Sequence, residues 1–504
     1  MHLMLWLLVL FSGGIFIWNL INGPGTFTLL RFTFAQLNLH LGLRIDALST
    51  LLALMISLLG AAIGRYAIRH LDGDPRQVYF FRHLLLIVLA VMLFVLSSNL
   101  LMLLGMWLLS SYGLHRLLLY YSGRPAAVYA ARKKIIISRL GDLALLGAII
   151  LIFQSVRTFE FNEIFARIQS DTLSASVQTM LAVACFLIVA GAMAKSAQFP
   201  FHFWLPETME TPSPVSALMH AGIINAGGFL IIRLSPLLVY APAAQMQLTL
   251  VGAFTAVYGA LAMIVQNDIK KKLAYSTIGQ MGMMMFACGL GAYTIALFHL
   301  FAHSFYKAHA FLSTGSLVSE SRRVGFKLQP SSLFMLVTVS AIVLALIVAG
   351  GSYQSGEWSA YVTYVAVLIP GLFMAFRSDS ELKYSRLVVF TSIAIVLFIA
   401  LAAYSGIEYG MGKYLQTALP TDRSPDVGNV NRLLINVLAG CLFVGGFWLS
   451  RLLMRPGGGF ARWLYLYFWN GGYASQMSTG FLQRIAPVSE HRWSETYMPF
   501  ESRQ

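Results

Sequence analysis

The chain has 504 residues, of which 58% are hydrophobic and only 11% charged, with 35 lysines and arginines against 20 acidic residues. A soluble domain of this length needs far more charge on its surface, so the composition specifies a polytopic membrane protein and excludes a soluble enzyme. The net charge of +15 is divided among short basic clusters that punctuate apolar runs, which is the pattern of cytoplasmic loops and not of a nucleic-acid-binding surface.

Read in chain order, the sequence predicts an all-α polytopic protein with about fourteen spans by the twenty-residue criterion. They lie near residues 3–20, 46–64, 83–97, 99–120, 135–155, 178–200, 216–236, 247–266, 274–290, 292–318, 332–350, 359–376, 387–404 and 432–452. Basic residues follow the second span (Arg65, Arg69, Arg76, Arg82), the fourth (Arg124, Arg132, Lys133, Lys134) and the eighth (Lys270, Lys271, Lys272). Others follow the tenth (Arg322, Arg323, Lys327) and the twelfth (Arg377, Lys383, Arg386). Every cluster follows an even-numbered span, which puts both termini in the cytoplasm. The first apolar run has no convincing small-residue cleavage site after it and reads as a span, not a removable signal.

Residues 1–45 comprise this first span and a partly alternating stretch, TFTLLRFTFAQLNLHLGLRIDALS (26–49), which fits either an outer-face hairpin or an irregular loop. Residues 46–404 form the transmembrane core, 405–431 an outer-face polar loop, and 432–454 the last span. The remainder, 455–504, starts with a glycine hinge and carries Trp463, Tyr465, Tyr467, Trp469 and Tyr473, as an amphipathic segment on the cytoplasmic membrane surface or on a partner would. Cys185, Cys288 and Cys441 lie in apolar runs without metal-ligand spacing and read as small core residues.

The sharpest local signal is KSAQFPFHFWLPETMETPSPVSALMHAG (195–222). Lys195 ends an apolar run, and Pro200, Pro206, Pro212 and Pro214 follow, so the helix must break at or inside the bilayer. Broken backbone at that depth survives only against protein or water. Lys195 is therefore either a functional intramembrane charge or a snorkelling one, and His220 on the next span either a second titratable group or a carbonyl-bonded core histidine. Arg139 and Asp142 open the fifth span, as a helix-end ion pair or as part of a relay. His299, His303 and Lys307 recur at i, i+4 and i+8, so they share one helical stripe with about 6 Å between steps, which suits a proton wire. The two histidines lack a carboxylate or cysteine to complete a metal site. No nucleotide loop, dinucleotide fingerprint or HExxH motif is present, so no cofactor is expected on this chain.

Six pieces, LRIDALSTL (43–51), NLLMLLGMW (99–107), AARKKIIISRLGD (130–142), the stretch 194–222, NDIKKKLAYSTIGQMG (267–282) and FHLFAHSFYKAHAFLSTGS (298–316), resemble the antiporter-like subunits of respiratory complex I and of Mrp-type sodium/proton antiporters. The resemblance implies two inverted five-helix repeats, each with a broken helix. It also implies a central polar axis onto which Asp142, Lys195, His220, His299, His303 and Lys307 fall, with protons or sodium ions as the transported species. Two features depart from that pattern. Leu108 stands where the family has a glutamate after its tryptophan, the usual partner of Lys195, and the region matching the second broken helix (342–358) has no lysine.

HAGIINAGGFLIIRLSPL (220–238) and the tail 463–487 resemble, more narrowly, the membrane subunit of the DAB inorganic-carbon uptake complex. That resemblance implies a bacterial inner-membrane protein with a large peripheral partner resembling a β-carbonic anhydrase. Zinc would sit on that partner, and ion flow through the membrane subunit would make CO2 hydration one-way. The competing readings are an ion-pumping subunit of a complex I-like or membrane-hydrogenase assembly, a stand-alone antiporter, and a non-transporting anchor.

Overall fold

The computed structural model describes residues 2–34, 37–169, 173–238, 240–314, 410, 414–415, 429–454 and 457–485. The spans expected at 332–350, 359–376 and 387–404, the loop 405–431 for the most part, and the lysine-free region 342–358 lie outside the described residues.

Helix α1 (His2–Asn22) leads into a hairpin of β1 (Gly25–Phe34) and β2 (Leu37–Ile45), paired antiparallel from Gly25 opposite Ile45 to Phe34 opposite Leu37. The alternating stretch is therefore a hairpin. Four membrane-length helices follow: α2 (Ala47–His70), α3 (Gln77–Val95), α4 (Leu100–Leu118) and α5 (Pro125–Val156). Their starts are written in the sequence. Asp46 and Asn99 cap α2 and α4 by accepting from Ser49 N and Met102 N, each at 2.8 Å, and proline occupies the first turn of α5, where its missing donor costs nothing.

A short amphipathic helix, α6 (Phe161–Gln169), precedes α7 (Ala175–Lys195). The prolines then have their expected effect: the α-helix ends at Lys195, and residues Phe201–Glu210 continue as a 3₁₀ segment around Pro206. A second interruption falls inside the following span, where α8 (Ser213–Ala221) and α9 (Ala226–Arg233) are separated by a single 3₁₀ turn at Ile223–Asn225. The bundle continues through α10 (Ser235–Leu238), α11 (Pro242–Val265), α12 (Ile269–Gly289) and α13 (Tyr293–Leu312). After the undescribed stretch come α14 (Asn429–Met454), α15 (Gly459–Trp469) and α16 (Ala474–Ile485).

Among the described residues nine segments are long and apolar enough to cross a membrane. Helix α13, of 20 residues, carries the expected His299, His303 and Lys307, whereas α12, of 21 residues, takes up Lys270, Lys271 and Lys272, which were expected in the loop after the eighth span. Leu3, Leu10, Ile21 and Leu143 remain exposed on outer faces, as lipid-facing residues do. Inside, α8 and α9 are buried throughout, with α2 and α13 packed on α8 and with α7, α12 and α13 packed on α9.

The sequence boundaries need two corrections. Helix α5 begins at Pro125, ten residues earlier than expected, so Arg139 and Asp142 lie in its middle and not at its end. For the same reason Lys133 and Lys134, read as loop charges, are helical and buried. The cause is that both amines find partners inside the protein, which lets basic residues continue an apolar helix.

Candidate functional site

Helices α4, α5 and α7 deliver a first polar group. Trp107, Ser110 and Ser111 share one face of α4 at i, i+3 and i+4 spacing. Asp142 on α5 accepts from the Trp107 indole at 2.6 Å and pairs with Arg139 at 2.9 Å, one turn earlier on the same helix. Lys195, the last residue of α7, donates to the Trp107 carbonyl and to Ser110 Oγ, both at 3.3 Å, and its Nζ lies 4.3 Å from the Trp107 ring centre. Asp142 and Lys195 are buried while the Arg139 side chain is 51% exposed. The four residues thus form one connected line, with the indole between carboxylate and amine. With leucine at position 108, it is Trp107 and Ser110 that hold Lys195.

The interruption between α8 and α9 is tied to both sides. Ser196, next to Lys195, donates to the Ile224 carbonyl at 2.6 Å. Asn225 donates to the Ala221 carbonyl at 2.8 Å and to Ser304 Oγ on α13 at 2.7 Å. Carbonyls freed by the break are satisfied by side chains, as a buried interruption requires. Gly227 permits this approach: a Cβ there would stand 2.4 Å from Ser196 Oγ and 2.5 Å from the Ala192 carbonyl.

A second polar group lies on α8, α12 and α13. His220 bonds Thr277 Oγ1 through Nδ1 at 3.0 Å and stacks on Phe311, ring centres 4.3 Å apart. Lys307 donates to the Leu273 carbonyl at 3.0 Å and to the Ser276 hydroxyl. His299 and His303 stack at 6.2 Å, as their spacing predicts. Both histidines and Lys307 line a cavity of about 540 Å³ together with Lys272, Ser276 and Gln280. Of Asp142 and His220, the two groups the sequence offers as neighbours of Lys195, Asp142 lies across the Trp107 ring from it, while His220 sits with Thr277 and Phe311 in the second group, because α8 lies against α13.

Two ionic features were not anticipated. Arg233, the last residue of α9, forms a two-pronged ion pair with Asp46, at 2.6 and 3.1 Å, and bonds Ser49 Oγ at 2.5 Å; Arg44 joins at 2.7 Å. Asp46 and Arg233 side chains are each 1% exposed. A lone arginine inside an apolar span and an aspartate placed to cap another were the available signals. At the opposite end of α5's polar face, Lys133 bonds Glu207 at 2.6 Å and the Ser475 carbonyl of the tail at 2.9 Å. Burial pushes the Glu207 carboxyl above its ordinary range, and the Lys133 ammonium pulls it partly back. The tail is seated on the bundle at the same place: Gly471 and Gly472 both have positive φ, and a Cβ on Gly471 would fall 2.2 Å from the Tyr275 hydroxyl. Phe468 packs on Tyr258, while Phe460, Trp463 and Trp469 face outward. Among the described residues no group of three His, Cys, Asp or Glu could hold a metal ion.

The transmembrane family described as NADH:quinone oxidoreductase/Mrp antiporter matches residues 97–351, and the complex I chain 5 N-terminal family matches residues 32–81. The chain belongs to this antiporter-like family. Its relatives include the "Probable inorganic carbon transporter subunit DabB2" of Halothiobacillus neapolitanus, 43% identical over 60% of this chain and 55% of that protein. The corresponding DabB subunit of Hydrogenovibrio crunogenus is 35% identical over 76% of this chain and 72% of its own length. NAD(P)H-quinone oxidoreductase chain 5 of Synechocystis is 36% identical over 61% of this chain and 46% of its own. The chain spans about half the length of the two Halothiobacillus relatives it matches, 55% and 50%. In architecture it is similar to a chain of the Mrp complex from Dietzia, with a TM-score of 0.63 at 22% identity over 97% of this chain and 58% of that one. The fold is therefore mostly α-helical and antiporter-like, with a β-hairpin near its start.

Proposed function

We propose that this chain is the proton-conducting membrane subunit of a two-component inorganic-carbon transporter in the bacterial inner membrane, with both termini cytoplasmic. Its partner in this reading is a large peripheral zinc subunit resembling a β-carbonic anhydrase, which hydrates CO2 to bicarbonate. The present chain supplies ion flow and no catalysis. The observation that carries the reading is a buried polar line, Asp142–Trp107–Lys195 and then Lys307–His303–His299, stitched together at the α8–α9 break, in a chain similar to DabB subunits.

Buried amines and imidazoles without carboxylate contacts are suited to taking up and releasing protons. Moving one charge through 100 mV is worth about 2.3 kcal/mol, or roughly 50-fold in an equilibrium. One proton per hydration event would therefore bias hydration strongly, provided that the zinc site opens only in the right protonation state. Mild-detergent purification tests the assembly. A single large zinc protein co-eluting with this chain, and energy-dependent bicarbonate accumulation by cells expressing the pair, support the proposal. The similarity to NAD(P)H-quinone oxidoreductase chain 5 favours a second reading, an energy-coupling subunit of a redox complex, and co-purifying iron–sulfur subunits would establish that instead.

A further inference from the structure

Lys134 lies outside both the polar axis and the line through Lys195. It lies in the third turn of α5, 3% exposed, with its Nζ 2.8 Å from both the carbonyl and the hydroxyl of Ser111. Ser111 follows Ser110, whose hydroxyl is 3.3 Å from Lys195 Nζ. Two buried amines from two different helices therefore rest on adjacent residues of one α4 turn. His115 lies one turn further along α4 and is half-buried.

The charge balance of this compartment is unusual. The groups facing Lys134 are Lys195 from α7, Asp142 and Arg139 from its own helix, and His115 from α4. The carboxylate among them, Asp142, is already paired with Arg139, a guanidinium that does not release its proton. That pair is neutral, so ammonium groups on both Lys134 and Lys195 would be two buried like charges with hydroxyl and carbonyl partners only. Two ammonium groups resting on adjacent residues of one buried turn are strongly disfavoured.

We propose that Lys134 and Lys195 share a single proton across the Ser110–Ser111 turn, and that Lys134 with His115 is the route by which that proton reaches the cytoplasmic end of the bundle. The step balances. The Ser110 hydroxyl, which donates to the Trp107 carbonyl at 2.8 Å, must turn from that carbonyl toward Ser111; the Lys195 ammonium then gives up one proton, each hydroxyl accepts one and releases one, and the neutral Lys134 amine takes the last. One positive charge has moved and no bond other than N–H and O–H has changed. The inference rests on the proton-conduction reading above and adds a carrier to it.

The test is proton flux under an imposed potential, reported by an entrapped pH dye, in vesicles holding the full chain with its co-purifying partner. Lys134→Arg keeps a cation and donors to Ser111 but cannot release a proton, so flux falls at least tenfold while assembly is retained. Lys134→His restores a titratable base, and is expected to recover part of the flux with its optimum moved to lower pH. Ser111→Ala, which removes one hydroxyl without touching a charge, lowers flux several-fold and covers the case in which the arginine does not fit. Wild-type flux in Lys134→Arg, or in Ser111→Ala should the arginine variant not assemble, overturns the assignment of Lys134. Absence of flux in the wild type, with the assembly intact, overturns the conduction reading itself.

Discussion

The Asp46–Arg233 pair fixes the far end of the interrupted helix, and its removal gives a quantitative test of the fold around the site. Helix α9 has only eight residues and is cut off from α8, so its position depends on Gly227 at one end and Arg233 at the other. Arg233 makes three bonds, at 2.6, 3.1 and 2.5 Å, with its side chain 1% exposed. Asp46→Ala leaves that guanidinium buried without a counter-charge, which costs about 3–5 kcal/mol. Arg233→Met costs less, because Asp46 keeps Arg44 at 2.7 Å and the Ser49 amide at 2.8 Å. In the double variant the stranded charge is gone, so its destabilisation falls short of the sum of the singles by about 0.5–3 kcal/mol. Unfolding by titrated denaturing detergent in mixed micelles, followed by tryptophan fluorescence, measures the cycle. Additivity within about 0.5 kcal/mol would refute the claim that this pair is a coupled, desolvated clamp.

Lys307→Met preserves side-chain length and removes the charge, so thermal stability is retained while transport falls sharply; a variant with normal transport would remove Lys307 from the line. Gly227→Ala places a methyl 2.4 Å from Ser196 Oγ, and overpacking of this kind costs about 1–3 kcal/mol. Transport should fall more than expression does, which uptake assays normalised to folded protein resolve. Removing the tail from residue 456 onward takes away the Ser475 contact to Lys133 and the aromatic face of α15, so the partner is lost from the purified complex while the core remains inserted. Full recovery of the partner with the truncated chain would show that docking lies elsewhere.

Much of this architecture is legible in the sequence because membrane spans announce themselves by length and hydropathy, and because caps and prolines mark their ends. The hairpin alternation, the stop at Lys195 and the His299–His303–Lys307 stripe all follow from local rules. What local rules could not supply was pairing. Lys133 and Lys134 read as loop charges because their partners, Glu207 and Ser111, are 74 and 23 residues away. Asp46 read as a helix cap, which it is, without revealing that Arg233 lies on it from 187 residues away. The same holds for His220: its sequence context shows that it is inside, and only the packing of α8 on α13 shows which polar group it joins. The interruption at Ile223–Asn225 is hidden for a different reason, since the prolines just before it carry a stronger signal.

The central claim is that protons passing through this chain drive inorganic-carbon accumulation, and Lys195→Arg tests it most directly. The substitution keeps a cation over Trp107 and donors toward Ser110 but removes the ability to release a proton in the physiological range. The measurement is accumulation of radiolabelled inorganic carbon in cells lacking their own carbonic anhydrases and expressing this chain with its partner. Wild-type cells should concentrate the label above its equilibrium level, and a protonophore should abolish that excess. The Lys195→Arg assembly, purified intact, should give no excess. Full accumulation in the arginine variant, or accumulation indifferent to the protonophore, would contradict the account.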